Sequence, residues 1–273
     1  MNEIQAKRPT FSAMISTSGY QKLINNTLKD EKRAQRFVAS ITSAVAINPA
    51  LQECDPATIL SGALLGESLG LSPSPQLGQY YLVPFANTKK GCKDAQFQLG
   101  YKGYVQLALR SGYYKALNVF AVKAGELKKW NPITEELELE IIEDDEVREK
   151  TESIGYVATF EYLNGFRKTI YWSRKKMESH ALRYSKGYAA KKGYTFWEKD
   201  FDAMAYKTML RQLISKWGIM SIDLQTAFEQ DAVIEDAADY VEAAPPMLAP
   251  VTDAPTADEP EVEAPEAVSL DDL

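Results

Sequence analysis

The sequence predicts an α+β fold, in which an antiparallel sheet flanked by helices forms one globular body and a disordered acidic C-terminal tail follows it. Three observations predict this fold. Helix-forming segments lie at both ends of the body, segments rich in aromatic and β-branched residues lie between them, and the last 43 residues contain six prolines, 13 acidic residues and one aromatic residue. We therefore divide the chain into a flexible arm (1–13), a body (14–230) and the tail (231–273).

The first part of the body is predicted to be helical. Residues 19–47 favour one long surface helix. A second helix is predicted to start at Asp55 and Pro56, because an aspartate side chain caps free amides and proline is tolerated in the first turn. The small residues Gly62 and Gly66 predict that this helix packs closely against another element. The Ser-Pro-Ser-Pro stretch that follows ends it.

The middle of the body is predicted to be β-structure, and its end helical. Strands are predicted over residues 78–86, 95–103, 114–122, 136–140, 154–163 and 166–172. Asn164 and Gly165 predict a two-residue hairpin turn between the last two strands. Helices are predicted over residues 104–110, 174–186 and 198–217, and again from Ser221.

Charge is segregated along the chain, although the net charge is only −7. The tail has 13 acidic and no basic residues, which leaves 31 basic and 25 acidic residues in residues 1–230. Ten of those acids lie between Glu135 and Glu152, where only Arg148 and Lys150 offset them. The rest of the body is strongly basic. Such a surface suits a polyanionic partner, although uneven charge also serves simply to keep a protein in solution.

Several function classes lack their sequence signatures. The chain has no G-x-x-x-x-G-K-[ST] phosphate loop and no Gly-rich dinucleotide turn, so we expect no nucleotide cofactor. Cys54, Cys92 and His180 are too few for a zinc site, and two reduced thiols are expected. We expect no catalytic residue and no enzyme. The acid run from Glu143 to Glu146 leaves a magnesium-dependent nuclease as an alternative, although such a run more often forms a solvated loop.

Targeting signals are also missing from the sequence. No apolar run approaches the roughly 18 residues that a membrane span needs, and the N-terminus lacks the order of a secretion signal. We therefore expect a cytoplasmic protein with no membrane partner.

Two clusters interleave basic and aromatic residues, the chemistry needed to hold a single nucleic-acid strand, because cations neutralise phosphates and rings stack on unpaired bases. The first contains Tyr101, Lys102, Tyr104, Arg110 and Lys115. The second contains Arg174, Lys175, Lys176, Arg183, Lys186, Lys191 and Lys192, followed by Tyr194, Phe196 and Trp197. The tyrosines of the first cluster have an alternative interpretation, as core residues of strands.

A third basic group is predicted on the next helix, where Lys199, Lys207 and Arg211 fall on one i, i+4 row. The alternative is that Lys207 and Arg211 pair with Asp200 or Asp202 and only stabilise the helix.

Longer strings resemble one family. Residues 96–119 (QFQLGYKGYVQLALRSGYYKALNV), 163–187 (LNGFRKTIYWSRKKMESHALRYSKG) and 196–228 (FWEKDFDAMAYKTMLRQLISKWGIMSIDLQTAF) resemble stretches of the RecT single-strand annealing proteins of phages and prophages. The resemblance covers roughly residues 14–230 in the same order. Tyr101, Lys102 and Tyr104 match a Gly-Tyr-Lys-Gly-Tyr signature of that family, and Lys207, Arg211 and Lys216 lie in the matching C-terminal helix.

This resemblance implies a protein that anneals complementary DNA strands without hydrolysing a nucleotide. It implies binding of single-stranded DNA and of the annealed duplex intermediate, and self-association into rings or helical filaments. It also implies a RecE-type 5′ to 3′ exonuclease and the host single-strand-binding protein as partners. Charge alone would also fit a passive single-strand-binding protein. The tail is interpreted either as solubilising disorder or as an acidic segment that competes with DNA.

Overall fold

The structure, a computed structural model, describes residues 10–87, 89–193, 195–232 and 240–242. The helices of these residues are α1 (Phe11–Ile15), α2 (Ser18–Leu28), α3 (Glu31–Ile47), α4 (Pro56–Ser68), α5 (Tyr101–Arg110), α6 (Asp145–Lys150), α7 (Arg174–Tyr184), α8 (Lys186–Ala189), α9 (Phe196–Lys199), α10 (Phe201–Trp217) and α11 (Ile222–Ala232). A 3-10 helix spans Pro49–Glu53. The strands are β1 (Tyr80–Asn87), β2 (Cys92–Leu99), β3 (Tyr114–Lys123), β4 (Leu127–Asn131), β5 (Glu136–Leu139), β6 (Ser153–Tyr162), β7 (Arg167–Ser173) and β8 (Tyr240–Glu242).

The strands form two antiparallel sheets and a ribbon. The first sheet has the order β2-β1-β8, the second the order β3-β6-β7, and β4 pairs with β5. Helix α4 packs on the first sheet, α7 and α10 pack on the second, and α5 contacts both α10 and α11. The predicted antiparallel sheet flanked by helices is thus confirmed, with the strands divided between two sheets.

The predicted long helix over residues 19–47 is wrong, because the chain breaks between α2 and α3. Lys29 adopts a left-handed conformation with φ of 54°. The carboxylate of Asp30 then accepts a hydrogen bond from the Arg33 amide at 2.7 Å and starts a new helix. A side chain that caps an amide three residues ahead competes with helix continuation.

The features predicted for α4 are confirmed. Its first turn holds Pro56, and Asp55 accepts a hydrogen bond from the Ala57 amide at 3.0 Å. A β-carbon at Gly62 would lie 2.7 Å from Leu82 of β1, and one at Gly66 would clash with the ring of Tyr80. The two glycines therefore let α4 approach the first sheet closely.

The hairpin between β6 and β7 exists, but its turn is longer than predicted. Tyr162 and Phe166 close the loop through an amide-to-carbonyl hydrogen bond of 2.8 Å. The connection thus contains Leu163, Asn164 and Gly165, and the left-handed φ of 84° falls on Gly165. Three-residue loops combine a type I turn with one left-handed residue, and glycine adopts that conformation most easily.

The predicted helix over residues 198–217 is interrupted at Asp200. Thr195 and Glu198 form a capping box at the start of α9, and the carboxylate of Asp200 accepts a hydrogen bond from the Ala203 amide at 3.0 Å. Helix α10 therefore starts anew at Phe201. Lys199 belongs to the preceding short helix, so the predicted row of Lys199, Lys207 and Arg211 on one helix is wrong at its first member.

The body is held by a core that includes the fully buried side chains Tyr80, Tyr104, Tyr156 and Phe160. No helix of the described ranges is long and apolar enough to cross a membrane. Phe11 is also buried, so the body includes the end of the predicted arm, whereas residues 1–9 lie outside the described residues.

The predicted tail enters the described structure at two places. Residues 231–232 end α11, and residues 240–242 pair with β1 as strand β8, which differs from the disorder predicted for these positions. Residues 233–239 and 243–273 lie outside the described residues.

Candidate nucleic-acid interface

A row of aromatic rings runs from α5 across α10 and β6 to α7 and β7. The centroid separations are 5.9 Å for Tyr101–Tyr206, 6.1 Å for Tyr206–Tyr156, 6.2 Å for Tyr156–Phe201, 4.9 Å for Phe201–Trp197, 6.5 Å for Trp197–His180 and 5.6 Å for His180–Trp172. These separations are those of rings in contact. Tyr184, which lies beside His180, is 47% exposed. The row therefore starts in the core and reaches the surface at α7 and β7.

Arg174 lies at the middle of this row and is held by its neighbours. Its guanidinium donates to the Tyr156 hydroxyl at 2.9 Å, lies 3.5 Å from Asp202 and sits 3.6 Å from the centroid of Phe201. Asp202 also accepts hydrogen bonds from Tyr156 and Ser153 at 2.5 and 3.1 Å. Burial first, and then this carboxylate, raise the pKa of Tyr156 above its ordinary value. Arg174 therefore connects α7 to α10 and β6. Because the carboxylate of Asp202 lies beside it, its attraction for a phosphate is weak.

Four cations lie over exposed or half-buried rings at the surface end of the row. The distances to the ring centroid are 4.3 Å for Lys176 over Trp172, 5.4 Å for Arg183 over Tyr184, 4.3 Å for Lys168 over Trp217 and 5.8 Å for Lys216 over Trp217. Within about 6 Å of a centroid, a cation is attracted by the ring. We call this surface the basic-aromatic face. Its members are Lys168, Trp172, Lys176, His180, Arg183, Tyr184, Arg211, Lys216 and Trp217.

The electrostatics of this face differ from those of an ordinary ion-paired surface. Burial, and then the charge of Lys216, lower the pKa of Lys176, so these two ammonium groups lie close enough to repel each other. Among the described residues, Lys176, Arg183 and Lys216 form no ion pair, whereas Lys168 pairs with Glu135. The face thus keeps uncompensated positive charge beside stackable rings.

His180 shows that cations of two helices converge here. Burial among Trp172, Tyr184 and Trp197 is the main cause that lowers its pKa to about 4, and the positive charges of Arg211 and Arg183 add to it. Arg183 comes from α7 and Arg211 from α10. At neutral pH the imidazole is therefore uncharged, and it serves as an aromatic neighbour.

The first predicted cluster is divided by the fold. Tyr104 is fully buried, with its ring 5.0 Å from that of Phe228, so its predicted contact with DNA is wrong and the alternative of a core residue is correct. Tyr101 is half-buried, and Lys102 is exposed on the same helix. Arg110 donates to the Leu69 carbonyl beyond the end of α4. Lys115 pairs with Glu161 at 2.6 Å. Arg110 and Lys115 therefore already have structural partners.

The remaining predicted cations are exposed or half-buried around α7, α8 and α10. Lys175, Lys186, Lys191, Lys192 and Lys199 are exposed, and Lys207 is half-buried one turn before Arg211. Asp202 binds Arg174, and Asp200 caps α10 through the Ala203 amide.

The acid run serves local structure. Asp144 accepts a hydrogen bond from the Val147 amide at 3.1 Å and starts α6, and Glu146 pairs with Lys150 at 3.6 Å. The described residues contain no group of three or more His, Cys, Asp or Glu side chains that could hold a metal ion.

Sequence reasoning missed five members of the basic-aromatic face: Lys168, Trp172, His180, Tyr184 and Trp217. A signal for two of them was present, because Lys168, Ile170 and Trp172 alternate along β7 and therefore project on one face of the sheet. The partner of Lys168 on that face is Trp217, from the far end of α10. Alternation places residues on one face, but it does not show which helix covers them.

Comparison with known proteins identifies the family of this fold. The family model described as "RecT family" matches residues 35–244, which include β8. The chain is 40% identical over 241 residues to the uncharacterized protein YqaK of Bacillus subtilis (strain 168), covering 88% of this chain and 78% of that protein. It is 30% identical over 200 residues to Protein RecT of Escherichia coli (strain K12), covering 72% and 71%. The chain belongs to the RecT family, whose members are single-strand annealing proteins of DNA recombination.

Proposed function

We propose that this chain anneals complementary single strands of DNA without ATP, and that it holds a strand on the basic-aromatic face. The observation that carries the proposal is the pair Lys176 and Lys216, which lie over Trp172 and Trp217 and form no ion pair within the described ranges. A phosphate placed between them would gain two cations that no carboxylate already neutralises.

The rings supply the second half of the chemistry. Trp217 is 38% exposed, so part of its ring is accessible to an unpaired base, and Lys168 and Lys216 lie over the same ring. Stacking on aromatic side chains contributes about 1–3 kcal/mol per base and does not depend on the base sequence. Binding of this kind leaves the pairing edges of the bases free. A strand held in this way remains able to meet its complement.

Annealing needs no chemical energy, because each stacked base-pair step contributes about 1.4 kcal/mol. What slows it is repulsion between phosphates, structure within each strand and the search for register. A protein that neutralises phosphates and extends the strand reduces all three.

The proposed contact set joins members of the basic-aromatic face to exposed or half-buried residues predicted from the sequence. It contains Tyr101, Lys102, Lys175, Lys176, Arg183, Lys186, Lys191, Lys192, Lys199, Lys207, Arg211, Lys216 and Trp217. The set leaves out Arg110, which donates to the Leu69 carbonyl, Arg174, which is bound by Tyr156 and Asp202, and Lys115, which pairs with Glu161. Binding is expected to weaken steeply with salt, by about 0.7 in log affinity per log salt for each phosphate neutralised on a single strand.

The proposed partners follow from the family. They are single-stranded DNA and the annealed duplex, further copies of this chain in a ring or filament, a RecE-type 5′ to 3′ exonuclease and the host single-strand-binding protein. Self-association is supported by the exposed apolar side chains Leu163 and Phe166 of the β6–β7 hairpin, and by exposed Ile219, whose amide donates to the hydroxyl of Tyr162 at the end of β6. Apolar groups that remain exposed together mark an interaction surface.

The test is the rate at which two labelled complementary oligonucleotides pair, with no nucleotide present and with each strand long enough to span several protomers. We expect the wild-type protein to accelerate pairing well above the protein-free rate. Tight binding of the single strands with no acceleration would replace this proposal with that of a passive single-strand binder. Magnesium-dependent shortening of the strands would replace it with that of a nuclease.

A further inference from the structure

An apolar groove runs along one edge of the first sheet. Its walls include Pro73, Pro75, Tyr81, Leu82, Pro84 and Phe196, and it holds about 570 Å³ of space that includes open solvent. The rings of Tyr81 and Phe196 lie 5.9 Å apart at one side. Four consecutive residues of β1, 81–84, contribute to the lining, so the groove follows the strand itself.

This edge of β1 is only partly paired. On its other side β1 pairs with β2 over all eight residues, from Tyr80 to Asn87. On the groove side β8 pairs with Phe85, Ala86 and Asn87, and within the described structure residues 80–84 have no strand partner there. Strand β8 is antiparallel, and its last residue, Glu242, lies opposite Phe85. The chain therefore leaves β8 at the entrance of the groove and points along it.

The sequence explains why the ladder stops at this point. Pro84 has no amide hydrogen to offer to a neighbouring strand. Pro245 and Pro246, which would come opposite Leu82 and Tyr81 if the register continued, lack one as well. Beyond Glu242 the chain therefore cannot continue the ladder through Pro245 and Pro246, whereas the amides of residues 247–249 and 251 can still donate hydrogen bonds to carbonyls of the groove wall.

The composition of the next segment matches an apolar groove. Residues 243–251 (AAPPMLAPV) contain three prolines and no charge, whereas residues 252–273 carry eight acidic residues. Proline-rich segments form an extended helix at little cost in entropy, and they dock in grooves lined by aromatic side chains. At about 3.1 Å per residue, nine residues span about 28 Å, which exceeds the roughly 17 Å length of five strand residues.

We propose that residues 243–251 dock in the groove along β1 of the same chain. We assign the groove to this segment because Glu242, directly before it, is held beside the groove by β8. This attachment gives the segment a higher local concentration at the groove than a separate molecule reaches. Met247 and Leu248 supply the apolar side chains that fill the groove between Pro75, Tyr81 and Phe196. The inference does not depend on the annealing function.

Hydrogen exchange on the full-length chain tests this docking. The double substitution Met247→Asp and Leu248→Asp places two charges in the docked segment, and Val262→Asp with Leu270→Asp is the matched control in the acidic part of the tail. In the wild type we expect the amides of residues 247–249 and 251 to exchange at least about tenfold more slowly than in an unstructured peptide. The first variant should lose this protection, and the control should keep it.

A second variant tests the groove wall independently. Pro75→Asp lies in the loop before β1, outside the ladder, and it should also release residues 247–251 while the amides of β2 keep their protection. Exchange of residues 247–251 at the unstructured rate in the wild type would overturn the proposal. Protection that disappears on dilution would also overturn it, because the segment would then come from a second copy. Protection that both aspartate variants leave unchanged would show that the segment docks elsewhere.

Discussion

The acid-rich region and the basic-aromatic face use the same residue type for opposite purposes. In the acid-rich region, formed by β4, β5 and α6, Lys128 lies 2.8 Å from Glu140, and Lys129 lies within 3.3 Å of Glu136 and Glu138. On the basic-aromatic face, Lys176 and Lys216 lie over Trp172 and Trp217 instead. A lysine paired with a carboxylate attracts a phosphate only weakly, because the pair has no net charge. A lysine over a neutral ring keeps a net positive charge.

A count of basic residues along the chain therefore does not locate a DNA-binding surface. The surface is determined by which cations the fold leaves without a carboxylate and next to a ring.

Arg148→Ala should cause the largest loss, and it should be a loss of stability. The carboxylate of Glu126 is fully buried and accepts hydrogen bonds from Arg148 at 2.6 Å and from the Lys123 amide at 2.8 Å. Removing one partner of a buried pair leaves an uncompensated charge and costs about 3 kcal/mol. Urea unfolding should show this loss, and Lys128→Ala, at an exposed pair, should cost far less.

The effect of Arg148→Ala should also depend on pH. Burial opposes the charge of Glu126, but the hydrogen bonds from Arg148 and two amides outweigh burial and lower its pKa below the ordinary 4.5. A lowered carboxyl pKa adds stability that is complete above the ordinary value and is lost as the pH falls through the folded-state value. The unfolding free energies of wild type and variant should therefore converge below pH 4.5. A constant difference at all pH values would contradict this account of the pair.

Trp217→Leu should weaken binding of single-stranded DNA by about tenfold, because it removes the ring on which a base would stack. Trp130→Leu is the matched substitution in the acid-rich region, where the indole ring lies 5.9 Å from that of Tyr171. Fluorescence anisotropy with a labelled oligonucleotide measures both. Equal losses for the two variants would mean that Trp217 has no special contact with DNA.

His180→Phe should alter the pH dependence of stability in a different window. The pKa of His180 is lowered from 6.5 to about 4 in the folded state, so its contribution is complete above pH 6.5 and is lost as the pH falls toward 4. Between pH 7 and pH 5.5 the wild type should lose about 1 kcal/mol more than the variant. Thermal or urea unfolding at the two pH values measures this difference. No difference would mean that the imidazole is solvated and distant from Arg183 and Arg211.

Much of the fold could be predicted from local sequence. The start of α4, the close approach of its glycines and the strands of the second sheet follow from capping, side-chain size and alternation. The interruptions at Asp30 and Asp200 were missed, although aspartate at a helix start is a known signal. Both aspartates lie inside runs of helix-forming residues, and periodicity alone does not show that a side chain will cap a new helix there.

The candidate interface could be predicted only in part. The sequence placed Arg183, Arg211 and Lys216 in the interface, and these do converge in the fold. It also included Tyr104, because an interleaved tyrosine looks the same whether it faces DNA or the core. Trp217 and Lys168 come together through the packing of α10 on β7, a contact between residues 49 positions apart. Contacts of this range depend on tertiary packing, which no local pattern specifies.

The most direct test of the account is the salt dependence of single-strand binding in two charge-matched variants. Lys176→Ala with Lys216→Ala removes two lysines from the basic-aromatic face, and Lys128→Ala with Lys129→Ala removes two from the acid-rich region. The first variant should reduce the slope of log affinity against log salt by about 1.4, and the second should leave it unchanged. Equal reductions in both variants would mean that only net charge matters, and would contradict the proposed interface.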